Sequence, residues 1–445
     1  MSDQNRDPQA LTRRGFLGTA GVVVGAGMAL GAAAAPARAA RVADEPLIKA
    51  GPLVPLKNGD AVRIGVIGTG GLGSGHAIAL SRAAAEGKVN ALIVALADVC
   101  TIHSERCKKE CEKAGAKHQI DTYQDYKKLL ARDDIHGVMI ASPEHWHAQM
   151  ALDAIAAGKD VYVEKPMTLR MDEALRLYRN VNANTQIMFQ VGTQMMRLPR
   201  YHEARKLIKD GAIGPATFSQ TSYCRNSRDG EWNYYGINDD WKPGVNVDWE
   251  NWCGPAGKHE WDPKVFARWR RYRAFSTGIV GDLLVHQMTP LILAIDQGWP
   301  TRVVATGAHI VDKEMENHDL TQLQIQFETG HMMIVAGSTC NELGLETIIR
   351  GQKGNIYLGG RHCVVRPERE YAEEVEERTI ECPDIGNDQE QHRLSWIDAI
   401  RTRTTPPSGV ELGAKVMVIV DLATRSMWDG HAYSFDPKTM KATRI

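Results

Sequence analysis

The chain has 445 residues, with 53 Lys and Arg against 54 Asp and Glu, and it is 43% hydrophobic and 24% charged. This balance excludes a disordered or fibrous chain and argues against a nucleic-acid binder, which normally carries a basic domain. The length suits about two or three domains, and eight Cys spread over so long a chain do not make a disulfide scaffold.

Residues 1–14 are polar and end in Thr12-Arg13-Arg14, and residues 15–35 are uncharged and dominated by Gly, Ala and Val. Ala37-Arg38-Ala39 then offers a small-residue cleavage site. This order reads as an export signal cleaved after Ala39, and Thr12 to Leu17 resembles the twin-arginine motif. A retained anchor is the alternative, since the stretch is long enough to span a bilayer. Its few large apolar residues favour cleavage, so no stable membrane insertion is expected of the mature chain. A chain folded before export is expected to keep its thiols free and buried.

Residues 61–67 form an apolar run of strand length, and Gly68-Thr69-Gly70-Gly71-Leu72-Gly73 follows at once. Helical character runs from His76 to Ala85. This is a dinucleotide-binding glycine pattern in the strand–turn–helix setting its mechanism requires. Gly68 suits the tight turn, Gly70 lets the backbone approach a pyrophosphate, and Gly73 suits close helix–strand packing. Gly71 and Leu72 complete the loop. A second strand over 91–97 ends in Asp98, 25 residues after Gly73. A carboxylate there suits the adenosine ribose diol and repels a 2′-phosphate, which favours NAD and leaves NADP open.

Helices are expected over 106–114, 123–131 and 147–157, with strands over 137–141 and 161–163. Such alternation implies a parallel, doubly wound α/β sheet, with ligands at the carboxyl ends of its strands. Ser142, Pro143, His145, His147, Glu164 and Lys165 stand at those ends. His145 and His147 have no nearby Cys or acid to complete a metal set, and Cys107 and Cys111 have no second pair, so no metal is assigned. Residues 223–273 are irregular and hold six of the ten Trp, among polar side chains. Aromatic faces beside polar groups suit a pyranose, so at least one of these Trp is expected to touch substrate, while a packing role remains open for each. From residue 302 alternating strands are expected over 302–311, 320–328, 331–337, 345–350 and 355–358, as a mainly antiparallel sheet.

Together the glycine loop, Asp98, Ser142-Pro143-Glu144-His145-Trp146-His147 and Glu164-Lys165-Pro166 resemble the Gfo/Idh/MocA oxidoreductases. So does Trp269-Arg270 followed by Gly281-Asp282 and, four residues after Asp282, His286. The glycine run before that Asp is reduced to Gly278 and Gly281, a departure that bears on loop shape. Behind the signal peptide (1–39) and a linker (40–59), the resemblance implies a Rossmann domain (60–185) and a substrate and oligomerisation α+β domain with a large open sheet (186–430), followed by a tail (431–445). It implies Lys165, Asp282 and His286 as catalytic residues, joined by Arg270 at the substrate. Gln194 would join the cofactor contacts. Asp282 and His286, at i,i+4, would share one helix face.

Hydride transfer to nicotinamide needs a base for the carbinol proton. The resemblance assigns that role to Lys165 or His286, and His286 is the preferred base, with Lys165 and Asp282 holding the carbinol oxygen and its neighbour. The expected substrate is a sugar, polyol or glycoside, and a homo-oligomer, dimer or tetramer, is implied. The periplasm holds little free NAD, so an exported enzyme is expected to carry its cofactor bound. Two alternatives stay open: an NAD-dependent glycosidase working by transient oxidation and elimination, and a catalytically silent cofactor-binding protein.

Overall fold

The computed structural model describes residues 45–445. The signal segment 1–39 and its cleavage site lie outside the described residues. Residues 48–52, expected as linker, are docked: Asn180 and Asn184 bond the backbone of Ile48 and Ala50, and Gly51 N donates to Ala156 O.

The first sheet is parallel, with strands β1 (Val62–Ile67), β2 (Ala91–Ala97), β3 (Asp121–Tyr123), β4 (Gly137–Ile140), β5 (Asp160–Val163) and β6 (Phe189–Val191) in the order β3-β2-β1-β4-β5-β6. The crossovers run through α1 (Gly71–Ala85), α2 (Thr101–Lys113), α3 (Tyr126–Leu130), α4 (Glu144–Ala156) and α5 (Met171–Ala183). β1, β2, β4 and β5 are apolar and almost wholly buried, as expected of strands covered on both faces. Two details differ from the sequence reading. Residues 121–123, expected partly as helix, form a short edge strand, whose Asp121 is tied to Arg132. β6 lies beyond residue 185 yet completes this sheet, pairing with β5.

After α6 (Pro199–Lys209) the chain enters β7 (Ala216–Cys224) and then an irregular stretch with two short helices, α7 (Trp249–Cys253) and α8 (Pro263–Ala267). A turn at Val280–Leu284 leads into α9 (Val285–Ile295). The second sheet adds β8 (Pro300–Ala308), β9 (Leu320–Phe327), β10 (Met332–Ser338), β11 (Thr347–Gly351), β12 (Gly354–Gly359), β13 (His362–Pro367) and β14 (Arg378–Glu381). Its ten strands are mainly antiparallel, with β7 and β10 paired in parallel. β9 shows its logic: Leu323, Ile325 and Phe327 are buried, while Gln322, Gln324 and Gln326 face outward.

Helices α10 (Asp388–Thr402) and α11 (Val410–Asp429) join the two halves. Trp396, Ile397 and Ile400 of α10 pack in one buried cluster with Val62 and Ile64 of β1. The last residues, expected as a tail, form β15 (Tyr433–Asp436) and β16 (Lys441–Arg444) at the edge of the second sheet. Tyr433 and Phe435 alternate inward there, and Phe435 meets Trp299 at 5.9 Å. A four-residue alternation is too short to read from sequence.

Among the described residues no helix is long and apolar enough to cross a membrane. All eight cysteines are free, and six of them are buried.

Candidate active site

β1 delivers the glycine loop at the carboxyl edge of the first sheet. Gly68 has φ +84°, and a Cβ on it would lie 2.5 Å from the Ser142 backbone nitrogen. A Cβ on Gly73 would lie 1.9 Å from Gly68 O. Both positions therefore require glycine. Gly70 and Gly71 behave differently, since a Cβ on either would meet nothing within 4 Å. The first turn of α1 carries no side-chain cap and no acid, so its backbone N–H groups are offered to an anion. Leu72 is half-buried at that turn.

Asp98 is pinned beside this loop. One carboxylate oxygen accepts from Thr69 N at 2.6 Å, and the other accepts from Cys100 N at 2.8 Å. Burial works against its charge, but His103 and these N–H groups outweigh it and hold the carboxyl below its usual range. A fixed carboxylate, an uncapped helix start and open space over Gly70 and Gly71 fit a dinucleotide with an unphosphorylated adenosine ribose.

The carboxyl ends of β4 and β5 hold the other expected cofactor residues, and several of their side chains are engaged with protein groups. His145 is in an aromatic cluster: it donates to Trp252 O at 2.8 Å and lies about 5 Å from the Trp252 and Phe275 rings. Burial pushes it down to about 4. His147 places one ring nitrogen 2.8 Å from Ser142 O and the other 2.7 Å from Pro166 O, tying the loop after β4 to the loop after β5. Glu164 is engaged on both oxygens, one with His76 at 2.8 Å and the other with Lys165 N at 3.1 Å. Burial opposes its ionisation, but His76 wins and brings it down to about 2. These three side chains thus support the walls of the crevice from within the protein. Ser142 Oγ is buried without a hydrogen-bond partner. Gln194 is half-buried in the short turn after β6.

Lys165, Asp282, Arg270 and His286 are brought together. Lys165 Nζ donates to Asp282 Oδ1 at 2.7 Å and to its backbone oxygen at 2.9 Å, while Arg270 Nε donates to the same Oδ1 at 2.8 Å. Asp282 is only 6% exposed. Burial disfavours its charge, yet Arg270 and Lys165 together hold it well below the usual carboxylate range. Burial and the Lys165 charge push His286 down to about 4, so it is neutral at physiological pH. Its Nδ1 is buried and unpartnered, and its ring lies 6.2 Å from Tyr223.

The expected α-helical face for Asp282 and His286 is replaced by a π turn at Val280–Leu284, which passes into α9. Such turns concentrate at functional sites. Two glycines permit it. Gly278 has φ +61°, and a Cβ on Gly281 would lie 1.8 Å from Thr277 Oγ1 and 3.3 Å from Pro166. The reduced glycine run thus retains the positions this turn requires.

Two features escaped the sequence reading. Glu144 is fully buried and accepts from Ser276 Oγ at 2.6 Å and from Thr277 N and Oγ1 at 3.0 Å, just ahead of the π turn. Its sequence signals are its place in the Ser142–His147 motif and in the first turn of α4, and neither gives its partners. The Trp-rich stretch is mainly packing: Trp252 is buried, and Trp241, Trp249, Trp261 and Trp269 lie against the same cluster. Trp232 is buried separately with Ile279 and Leu283. Trp269 is linked to the Lys165–Asp282–Arg270 cluster, with the Arg270 guanidinium 4.1 Å from its ring.

Residues 62–193 match the family model described as the NAD-binding Rossmann fold of the Gfo/Idh/MocA oxidoreductase family, and residues 205–435 match its C-terminal alpha/beta domain. An inositol 2-dehydrogenase of Gluconacetobacter diazotrophicus is 35% identical over 167 residues, covering 38% of this chain and 47% of that protein. A glycosyl hydrolase family 109 protein of Shewanella pealeana is 28% identical over 248 residues, 51% of this chain and 50% of that one. The chain spans about half the length of the curated relatives it matches. Among solved structures, levoglucosan dehydrogenase with NADH aligns with a TM-score of 0.63 at 19% identity, covering 84% of this chain and 98% of that one. The aldose-aldose oxidoreductase of Caulobacter crescentus aligns with a TM-score of 0.62 at 18% identity, covering 84% and 100%. Both likenesses concern the fold. With two family models covering most of its length in order, the chain belongs to the Gfo/Idh/MocA oxidoreductase family.

Proposed function

We propose that this protein oxidises or reduces a carbinol carbon of a sugar, polyol or glycoside with a tightly held NAD, NADP remaining open. The observation that carries this reading is the Lys165–Asp282–Arg270 cluster with a neutral His286 beside it. Bound nicotinamide supplies the hydride acceptor or donor. His286 takes the carbinol proton, because a neutral imidazole is free to accept one. Lys165 donates to the carbinol oxygen and stabilises the negative charge that develops there. Asp282 fixes Lys165 and bonds a neighbouring hydroxyl. Arg270 anchors Asp282, leaving the carboxylate ionised in a buried setting. The glycine loop, Asp98 and the uncapped start of α1 hold the dinucleotide.

A screen of inositols, aldoses, anhydrosugars and aryl glycosides tests this reading. NADH absorbance that appears with a sugar or polyol supports it, and silence across the panel with intact nucleotide binding refutes it. Aglycone release without net NADH would favour glycoside cleavage, a reading supported by the likeness to the glycosyl hydrolase family 109 proteins. We also propose twin-arginine export to the periplasm with cleavage after Ala39, so that N-terminal sequencing of the exported protein starts at Ala40. A homo-oligomer, dimer or tetramer, is proposed from the resemblance and is testable by sedimentation.

A further inference from the structure

We propose that residues 241–275 act as a clasp that closes over the dinucleotide crevice and makes exchange of the bound nucleotide slow. The inference deepens the tight-cofactor reading above and rests on it. The sheet order places β1, which carries the glycine loop, between β2 and β4. The clasp is fastened to the first sheet's loops on both sides of that position.

On the β2 side it grips the residues directly after Asp98. Asp248 N donates to Val99 O and Thr101 N donates to Asn246 O, both at 2.9 Å, and Cys100 and Val247 pair as an antiparallel bridge. His103, 3.6 Å from the Asp98 carboxylate, is stacked on Phe266 and edge-on to Trp241. On the β4 side Trp252 O accepts from His145 at 2.8 Å and from Trp146 at 2.9 Å. Gly254 approaches Trp146 so closely that a Cβ would lie 2.1 Å from its ring.

Between the two fastenings the clasp has little regular structure of its own. What holds it is a shared core. Val247, Trp252, Cys253, Phe266 and Phe275 are buried in one cluster with Cys100 of the nucleotide-binding half, and Trp249 stacks on Trp252 at 4.6 Å. Lifting the segment exposes that aromatic core to water. Yet Gly70 and Gly71 still face open space, so the clasp leaves room at the loop where a pyrophosphate approaches. A nucleotide held there leaves only when the core parts.

The bridge geometry supplies the test. The hydrogen bonds of Val99–Thr101 and Asn246–Asp248 flank Cys100 and Val247 as a non-hydrogen-bonded antiparallel pair. Such pairs have Cα atoms about 4.5 Å apart, within disulfide range. Val247→Cys therefore pairs a new thiol with native Cys100. The full-length protein is loaded with NADH, oxidised, checked for the disulfide by mass spectrometry and chased with excess NAD while NADH fluorescence is followed. The oxidised form should release NADH at least about tenfold more slowly than the same sample after reduction. Equal rates overturn the clasp. Trp252→Ala should release NADH faster than the parent if it folds, and a folded variant with the parental rate also counts against the proposal. A parent that exchanges rapidly and purifies without nicotinamide would sink the tight-cofactor reading and the clasp with it, whereas slow exchange at equal oxidised and reduced rates sinks the clasp and leaves that reading standing.

Discussion

Glu144→Gln is expected to make the protein more stable at pH 8, although it removes a buried, fully bonded carboxylate. Burial raises the Glu144 carboxyl from 4.5 to about 7, with the bonds from Ser276 and Thr277 pulling the other way. Holding the ionised form in the fold then costs about 3 kcal/mol relative to the unfolded chain. The sign follows from proton binding. Between about pH 4.5 and 7 the folded state holds a proton that the unfolded state has lost, so this group's contribution falls as pH rises through that window. Glutamine does not titrate and imitates the protonated acid, with one group to accept from Thr277 N and one to donate to a hydroxyl. Near pH 4.5 the variant and parent should therefore be of similar stability, and by pH 8 the variant should lead by up to about 3 kcal/mol. Urea unfolding of both proteins at closely spaced pH values measures the difference, and the titrations they share cancel in it. A difference that stays flat across pH 4.5–8, or a variant that weakens as pH rises, refutes the reasoning.

Three further outcomes are expected. His286→Ala should lower kcat by about 10²–10⁴-fold while NADH binding by fluorescence is kept, and the parental kcat/KM should fall only below about pH 4–5, where His286 becomes protonated. An acid limb that persists unchanged in the variant would assign the base elsewhere. Asp282→Asn leaves the partly buried Lys165 and Arg270 without their shared counter-charge, so chemical unfolding at pH 7 should show a loss of about 3 kcal/mol, with turnover falling alongside. Gly73→Ala puts a methyl 1.9 Å from Gly68 O, and NADH affinity measured by fluorescence should fall by more than about tenfold, or about 1.4 kcal/mol.

The glycine loop was legible because its requirements are local. Gly68 and Gly73 are demanded by atoms at the same strand–turn–helix junction and its neighbouring loop. Lys165 and Asp282 were legible as a resemblance, while their 2.7 Å ion pair joins residues 117 positions apart. Glu144 was legible as a motif residue, but its role was not. Its place near a helix start says nothing of Ser276 and Thr277, which reach it from the other half of the chain. The Trp-rich stretch was ambiguous for the same reason. Its composition suits a sugar surface, but whether an indole meets substrate or Cys100 and Phe266 depends on where the nucleotide-binding half stands.

Sequence alone determined the alternation of strands and helices, the nucleotide loop, the two-part architecture and the residue types of the site. Apolar periodicity, glycine positions and motif order carry that information along the chain. Tertiary structure decided three other things: that α10 returns to cover β1, that the closing residues add two strands to the second sheet, and that Asp282 rides on a π turn. It also decided protonation. His286 is pushed down to about 4 and Glu144 up to about 7 because folding removes water around them and sets charges beside them. Burial and charge proximity are properties of the packed chain, and no single stretch of residues holds them.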